Sequence, residues 1–247
     1  MKNRQVVLAA RPLGIPQAEH FRLTEAEVPE LRDGQFLVRN EFLSVEPAMR
    51  GWVNAAANYS DPVSVGGVMR SFAAGTVTAS RHAGYAVGDK VMGMLGWQEW
   101  AVSDGAGIRR KVRETDLSLS LSLGVLGING ITAYFALTEV GQPRPGDTVV
   151  VSTAAGAVGS AVGQIAKIAG CRTVGIAGGA VKRQQCLDEF GYDAAVDYKA
   201  PDFLTQLAAA CPRGVDVYYD NTSGPITDAV VQRINKNARI VVCGTAA

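Results

Sequence analysis

Two grammars of hydrophobic spacing run along the 247 residues of the chain. Up to about residue 123 the apolar positions come in short runs rich in β-formers. Val6–Ala10, Gln35–Val45, Ala74–Ala79 and Lys90–Leu95 are such runs, separated by Gly, Pro and Asp. Turn signals at Arg32-Asp33-Gly34 and Gly88-Asp89 each precede an alternating strand. The pattern predicts a mostly antiparallel, β-rich domain over residues 1–123. From about Ser122 the period changes. Val125–Val140 has a helical repeat that Gly141, Pro143 and Pro145 stop. Beyond it, strands Asp147–Ser152, Arg172–Ala177, Ala194–Asp197, Asp216–Asp220 and Arg239–Cys243 alternate with helices Ala157–Ala169, Val181–Phe190, Asp202–Ala210 and Ile226–Ile234. Strands joined by helical crossovers predict an α/β domain over 124–247 with a doubly wound parallel sheet. Nearly continuous apolar runs such as Thr148–Val151 fit strands covered on both faces. A dinucleotide-binding sheet normally has six strands. This domain is therefore expected to be C-terminally incomplete, with five strands and an apolar fifth strand at the sheet edge.

Composition narrows the class. Hydrophobic residues make up 47% and charged residues 19%, a globular balance, and the formal net charge is +1. That charge argues against a nucleic-acid partner or an anionic membrane surface. The N-terminal stretch MKNRQVVLAARPLG has only a short apolar run, ended by Arg11 and Pro12. It is too short for a secretory signal, so a soluble cytoplasmic protein is expected. Cys171, Cys186, Cys211 and Cys243 are scattered, without disulfide or zinc spacing. His20 and His82 read as turn-like surface residues without ligand partners, so no metal is predicted. No GxSxG motif points to a hydrolase.

The chemistry concentrates at STAAGAVGSAVG, Ser152–Gly163. Ala154-x-Gly156-x-x-Gly159 matches the dinucleotide turn G-x-G-x-x-G, with alanine at its first position. A strand before it and an amphipathic helix after it give the motif its structural context. Gly156 would let backbone N–H groups approach a pyrophosphate, and Gly159 would let the helix pack on the sheet. The alternative is a tight turn without a ligand. An NAD site places an acid about twenty residues on, at the end of the second strand. Here that strand ends Ile176-Ala177-Gly178-Gly179, and Lys182 follows. A cation without an acid suits a 2′-phosphate, so the cofactor expected is NADP(H).

These residues, with Tyr198, Tyr218-Tyr219-Asp220-Asn221, Val242-Cys243-Gly244, LSVEPAMRGW (Leu43–Trp52) and VGGVM (Val65–Met69), resemble the medium-chain dehydrogenase/reductase family. The likeness is to its zinc-independent enone reductases of the prostaglandin-reductase and bacterial curcumin-reductase kind. The resemblance implies a GroES-like first domain over 1–123 and a Rossmann domain over 124–247. It implies NADPH-dependent reduction of the C=C bond of α,β-unsaturated ketones and aldehydes, and a homodimer. It places Gly156, Ala157, Val158 and Gly159 on the pyrophosphate, and Gly178 and Lys182 beside the 2′-phosphate. Tyr198 falls at the adenosine end and Asn221 near the nicotinamide ribose. Cys243, Gly244 and Thr245 begin the loop across the nicotinamide. Thr132 is a candidate to face the nicotinamide, with packing as its alternative. Tyr59 is the candidate donor to the enolate oxygen, or else a packed loop ring. Met49 and Arg50 are expected to shape the substrate pocket. Two positions depart from the family pattern: Glu46 and Ala48 stand where aspartate and tyrosine are usual. Quinone reduction, and cofactor binding without turnover, remain the alternatives.

Overall fold

The structure is a computed structural model that describes residues 1–56 and 60–245. It divides into two units, Met1–Leu123 and Gly124–Ala247. In the first, β1 (Lys2–Leu8) and β2 (Phe21–Glu27) form an antiparallel hairpin. The main sheet follows: β3 (Phe36–Leu43), a short helix α1 (Met49–Trp52), β4 (Phe72–Ser80), β5 (Lys90–Met94), β6 (Trp100–Ser103) and β7 (Ile108–Val112). Its order is β6-β3-β4-β5-β7, and every pairing is antiparallel. Phe36, Val38, Ala73, Val77 and Val91 fill its core. The spacing of apolar residues missed β2, β6 and β7. The sequence FRLTEAE of β2 is largely solvated, and IRRKV of β7 reads as a charge run. Backbone pairing with β1 and β5, not a buried face, makes them strands.

The second unit opens on α2 (Ile128–Phe135), which continues as a π-helical turn over Ala136–Gly141. Gln142 ends it in the left-handed region, at φ 42°. Then β8 (Thr148–Ser152), α3 (Ala157–Ile168), β9 (Arg172–Ala177), α4 (Ala180–Asp188), β10 (Ala194–Asp197), α5 (Phe203–Ala210), β11 (Val215–Asp220), α6 (Pro225–Val231) and β12 (Ile234–Val242) alternate. All strands are parallel, in the order β10-β9-β8-β11-β12. The direction of winding reverses at β8. In such sheets the ligand crevice opens at this reversal, beyond the C-terminal ends of the strands.

The largest boundary shift from the sequence reading is at β12, expected from Arg239. The last helix stops at Val231, and Ile234 already belongs to β12. The pairing with β11 jumps from Val215–Ile234 to Val217–Arg239, and Asn237 takes φ 65° inside the irregularity. The turn between helix and strand is therefore shorter, and a bulge absorbs the surplus residues.

Side chains alternate across the sheet. Val149, Val151, Val217 and Tyr219 face α2, α3 and α4, while Val150, Val174, Ile176 and Tyr218 face α5 and α6. Tyr192 sets how closely α3 approaches the sheet. Its ring is buried, and its hydroxyl donates to the Gly159 carbonyl at 2.6 Å. A Cβ on Gly163 would lie 2.3 Å from the Tyr192 Cζ, and one on Gly175 would lie 3.3 Å from its Cδ1. Glycine at these positions makes the ring's slot. Gly163→Ala is expected to overpack it and to destabilise the second unit by about 1–3 kcal/mol. Urea unfolding of the variant against the parent chain measures this, and an unchanged midpoint would contradict the packing.

Candidate dinucleotide site

The end of β8 turns sharply into α3. Thr153, a β-branched residue, sits at φ 52°, a conformation such residues seldom adopt. Its carbonyl accepts the Gly156 N–H at 2.8 Å. A Cβ on Gly159 would lie 2.3 Å from that same carbonyl, so only glycine fits there. Ala154 takes the motif's first glycine position, and its side chain is fully buried. Across from it, a Cβ on Gly175 would come within 2.9 Å of the Ala154 Cβ. The glycine has moved to the neighbouring strand, and the close approach is kept.

A cavity of about 380 Å³ lies beyond this turn. Thr153, Ala155 and Gly156 form one wall, and Thr222, Ser223, Pro225 and Ile226 form the opposite one. Ala177, Gly178, Lys182, Tyr198 and Lys199 close the end. The lining holds two lysines and no acid. The Tyr198 ring lies against the backbone of Gly178, where a Cβ would come within 2.8 Å of its Cε1. Asp197 ties the two sides of this end together. Its Oδ1 accepts the N–H of Gly179 at 2.8 Å and of Lys199 at 2.9 Å. Those backbone donors hold its carboxyl below the usual carboxylate range.

At the winding reversal itself stands Asp220, 1% exposed. Its carboxylate accepts the Ser152 and Tyr218 hydroxyls at 3.2 and 3.0 Å. It also accepts the N–H groups of Thr222 and Ser223 at 3.0 and 2.9 Å, and the Thr227 hydroxyl at 2.6 Å. Burial pushes this carboxyl up, but the Thr227 hydroxyl, the Ser223 and Thr222 N–H groups and Tyr218 outweigh it, so it sits below its ordinary value. Asn221 adds to the knot. Its Nδ2 donates to the Ser152 carbonyl, and its N–H donates to the Ser152 hydroxyl, both at 2.7 Å. The N–H groups of Cys243 and Gly244 donate to the Asp220 carbonyl. A Cβ on Gly244 would lie 2.7 Å from the Asn221 carbonyl.

The structure thus gathers Gly156, Gly178, Lys182 and Tyr198 at one cavity, and Asn221, Cys243 and Gly244 at the adjacent reversal. Val158 packs on the core, while Ala157 and Thr245 are exposed at the start of α3 and after β12. The Thr132 carbonyl accepts the Tyr219 hydroxyl at 3.1 Å. In the first unit Met49 is buried with Leu8, Trp52, Val53, Val63 and Met69, and Arg50 bonds the Asn54 side chain. Burial raises the Glu46 carboxyl. Tyr59 falls outside the described residues. Sequence reasoning named neither Lys199 nor Asp197 nor Asp220 as a site residue. The signal for all three was an ionisable residue at or just beyond the C-terminal end of a parallel strand.

Fold and turn together define the class, an α/β oxidoreductase architecture with a β-rich first unit and a Rossmann-type second one. A family model described as an N-terminal domain of oxidoreductase matches residues 4–110, and one described as zinc-binding dehydrogenase matches residues 157–247. The NADPH-dependent curcumin reductase of Escherichia coli is 46% identical over 98% of this chain and 70% of that protein. The pig prostaglandin reductase 1 is 39% identical over 94% of this chain and 69% of that protein. The crystal structure of CurA from Vibrio vulnificus in complex with NADPH superposes with a TM-score of 0.92 at 46% identity, covering 98% of this chain and 72% of that one. The chain belongs to the medium-chain dehydrogenase/reductase family, beside the curcumin and prostaglandin reductases. The second family description raises the question of zinc. Among the described residues no group of three or more His, Cys, Asp or Glu is placed to hold a metal ion. The His82 ring packs instead against Phe36 and Tyr85, and His20 Nδ1 accepts the Gln17 N–H. No helix among them is long and apolar enough to cross a membrane.

Replacing Asp220 by alanine is expected to cost about 3 kcal/mol, because several donors lose a buried acceptor. The sign of the pH dependence follows from the lowered carboxyl. Its contribution is complete above the ordinary carboxylate value of about 4 and fades as pH falls through the folded value. Chemical denaturation at several pH values should show the gap between parent and Asp220→Ala closing on acidification.

Proposed function

We propose that this chain is an NADPH-dependent reductase of the C=C bond of α,β-unsaturated ketones and aldehydes, working without zinc. The observation that carries the reading is the cavity beside the Gly156 turn, lined by Lys182 and Lys199 and by no acid. It is supported by relatives named as NADPH-dependent curcumin reductase and prostaglandin reductase 1. The residues present fit an NADP(H) cofactor. The turn keeps its N–H groups clear of side chains at Gly156, and α3 begins there with its dipole pointing at the crevice. Gly178 and Tyr198 give a flat end for the adenosine, and Lys182 gives charge for its phosphate. When bound, the cofactor supplies the hydride that adds to the β-carbon of the enone. The protein's part is to orient the two partners, exclude water and offer a donor to the enolate oxygen. Tyr59 is proposed as that donor, and Arg50 as a residue that holds the neighbouring loop. Asn221, Cys243, Gly244 and Thr245 are proposed for the nicotinamide side of the crevice, with Thr132 near it. A cytoplasmic homodimer completes the proposal.

Titration of NADPH fluorescence, run beside NADPH oxidation over a panel of enones and quinones, tests this. The expected result is binding together with turnover, with larger kcat/KM for enones. Binding without turnover across the panel would leave a cofactor-binding chain and overturn the reductase reading, and a preference for quinones would redirect it. Lys182→Glu is expected to weaken NADPH binding by at least about tenfold, since it replaces attraction to the phosphate by repulsion. Unchanged affinity would remove Lys182 from the phosphate site.

A further inference from the structure

We propose that Lys199 is the second cation of the 2′-phosphate site and sets the preference for NADPH over NADH, an inference that rests on the NADP(H) reading above. The charges at this end of the cavity decide it. Lys182 and Lys199 both line the cavity, and Asp197, which does not line it, directly precedes Tyr198 in the chain. The Asp197 carboxylate is fixed there by the Gly179 and Lys199 N–H groups. Lys199 and Arg183 also act on it through their charges, and Arg183 does not line the cavity. A sugar phosphate carries between one and two negative charges at neutral pH. Lys182 by itself would set one positive charge against it, and Lys199, on the lining of the same cavity, sets a second.

Its placement is built in three ways. The backbone N–H of Lys199 is held by Asp197. The preceding ring, Tyr198, is seated on Gly178. The ammonium stands over that ring, 5.8 Å from its centroid. Such a cation–π contact narrows the positions a flexible, exposed lysine would otherwise sample. Asp197 is in this sense a positioning residue: it orients the segment that presents Tyr198 and Lys199.

Lys199→Gln and Lys199→Arg test the assignment in the full chain. The readouts are dissociation constants for NADPH and NADH by fluorescence, and for 2′,5′-ADP against 5′-AMP by calorimetry, at low and high salt. Expected for Lys199→Gln is a roughly three- to tenfold loss of affinity for NADPH and for 2′,5′-ADP. NADH and 5′-AMP should bind as before, and the loss should shrink at high salt. Lys199→Arg should keep most of the parent's preference. An equal loss for all four ligands would overturn the proposal, because the residue would then support the fold of the site. Unchanged constants would overturn it too, with Lys199 serving only Tyr198. A parent chain that does not distinguish NADPH from NADH would instead overturn the NADP(H) reading itself.

Discussion

The buried carboxylate of Asp220 is the constraint on which the crevice depends. A parallel sheet that reverses its winding must let two neighbouring strands send their chains to opposite faces. Here β8 leads into α3 on one face and β11 into α6 on the other. The backbone groups that part at the reversal lose their ladder partners, and buried polar groups need replacements. Asp220 supplies them, receiving the Ser152 hydroxyl from β8 and the N–H groups of Thr222 and Ser223 from its own outgoing loop. Its neighbour Asn221 bonds the last carbonyl of β8. The wall of the cavity formed by Thr222, Ser223, Pro225 and Ile226 stands where this knot puts it.

A second carboxylate does the same work at the far end. Asp197 closes β10 onto the turn that leaves β9, using one oxygen for two backbone donors. Acids that a sequence reader would assign to solvent are here the anchors of loops. The cost is a negative charge close to the proposed phosphate site, and the charges of Lys199 and Arg183 act against it. Close packing and electrostatics are thus coupled: the Gly178 backbone admits the Tyr198 ring, and the ring carries Lys199 beside it.

Much of this was legible in the residues. Thr148–Ser152, Arg172–Ala177 and Ala194–Asp197 announce strands because they are short, apolar and bounded by turn formers. The change from a two-residue to a helical period falls where the two units divide. Strands β2 and β7 were hidden, because their side chains are polar and only hydrogen bonding to a partner defines them. The same holds for the start of β12, where a bulge rather than a change of composition sets the pairing. In the site, Gly156, Gly159 and Lys182 stood out through spacing from a strand end. Asp197, Lys199 and Asp220 also lie at or just past strand ends, but the partners of the two acids come from strands distant in the chain, so that position alone does not reveal their role.

The sequence by itself determined the alternation of elements, the glycine turn at Ser152–Gly159, and the absence of an acid after β9. These are local properties, written in the residues of one strand, one turn and one helix. Tertiary structure alone decided the strand order β10-β9-β8-β11-β12, and with it which loops meet. It decided that Tyr192 would fill a slot made by Gly163 and Gly175, and that Ala154 would be tolerated opposite Gly175. It also decided that Lys182 and Lys199 would face one cavity. The physical reason is common to all of these. Close packing and Coulomb interaction depend on distance in space, and only the folded sheet brings residues from separate crossovers within that distance.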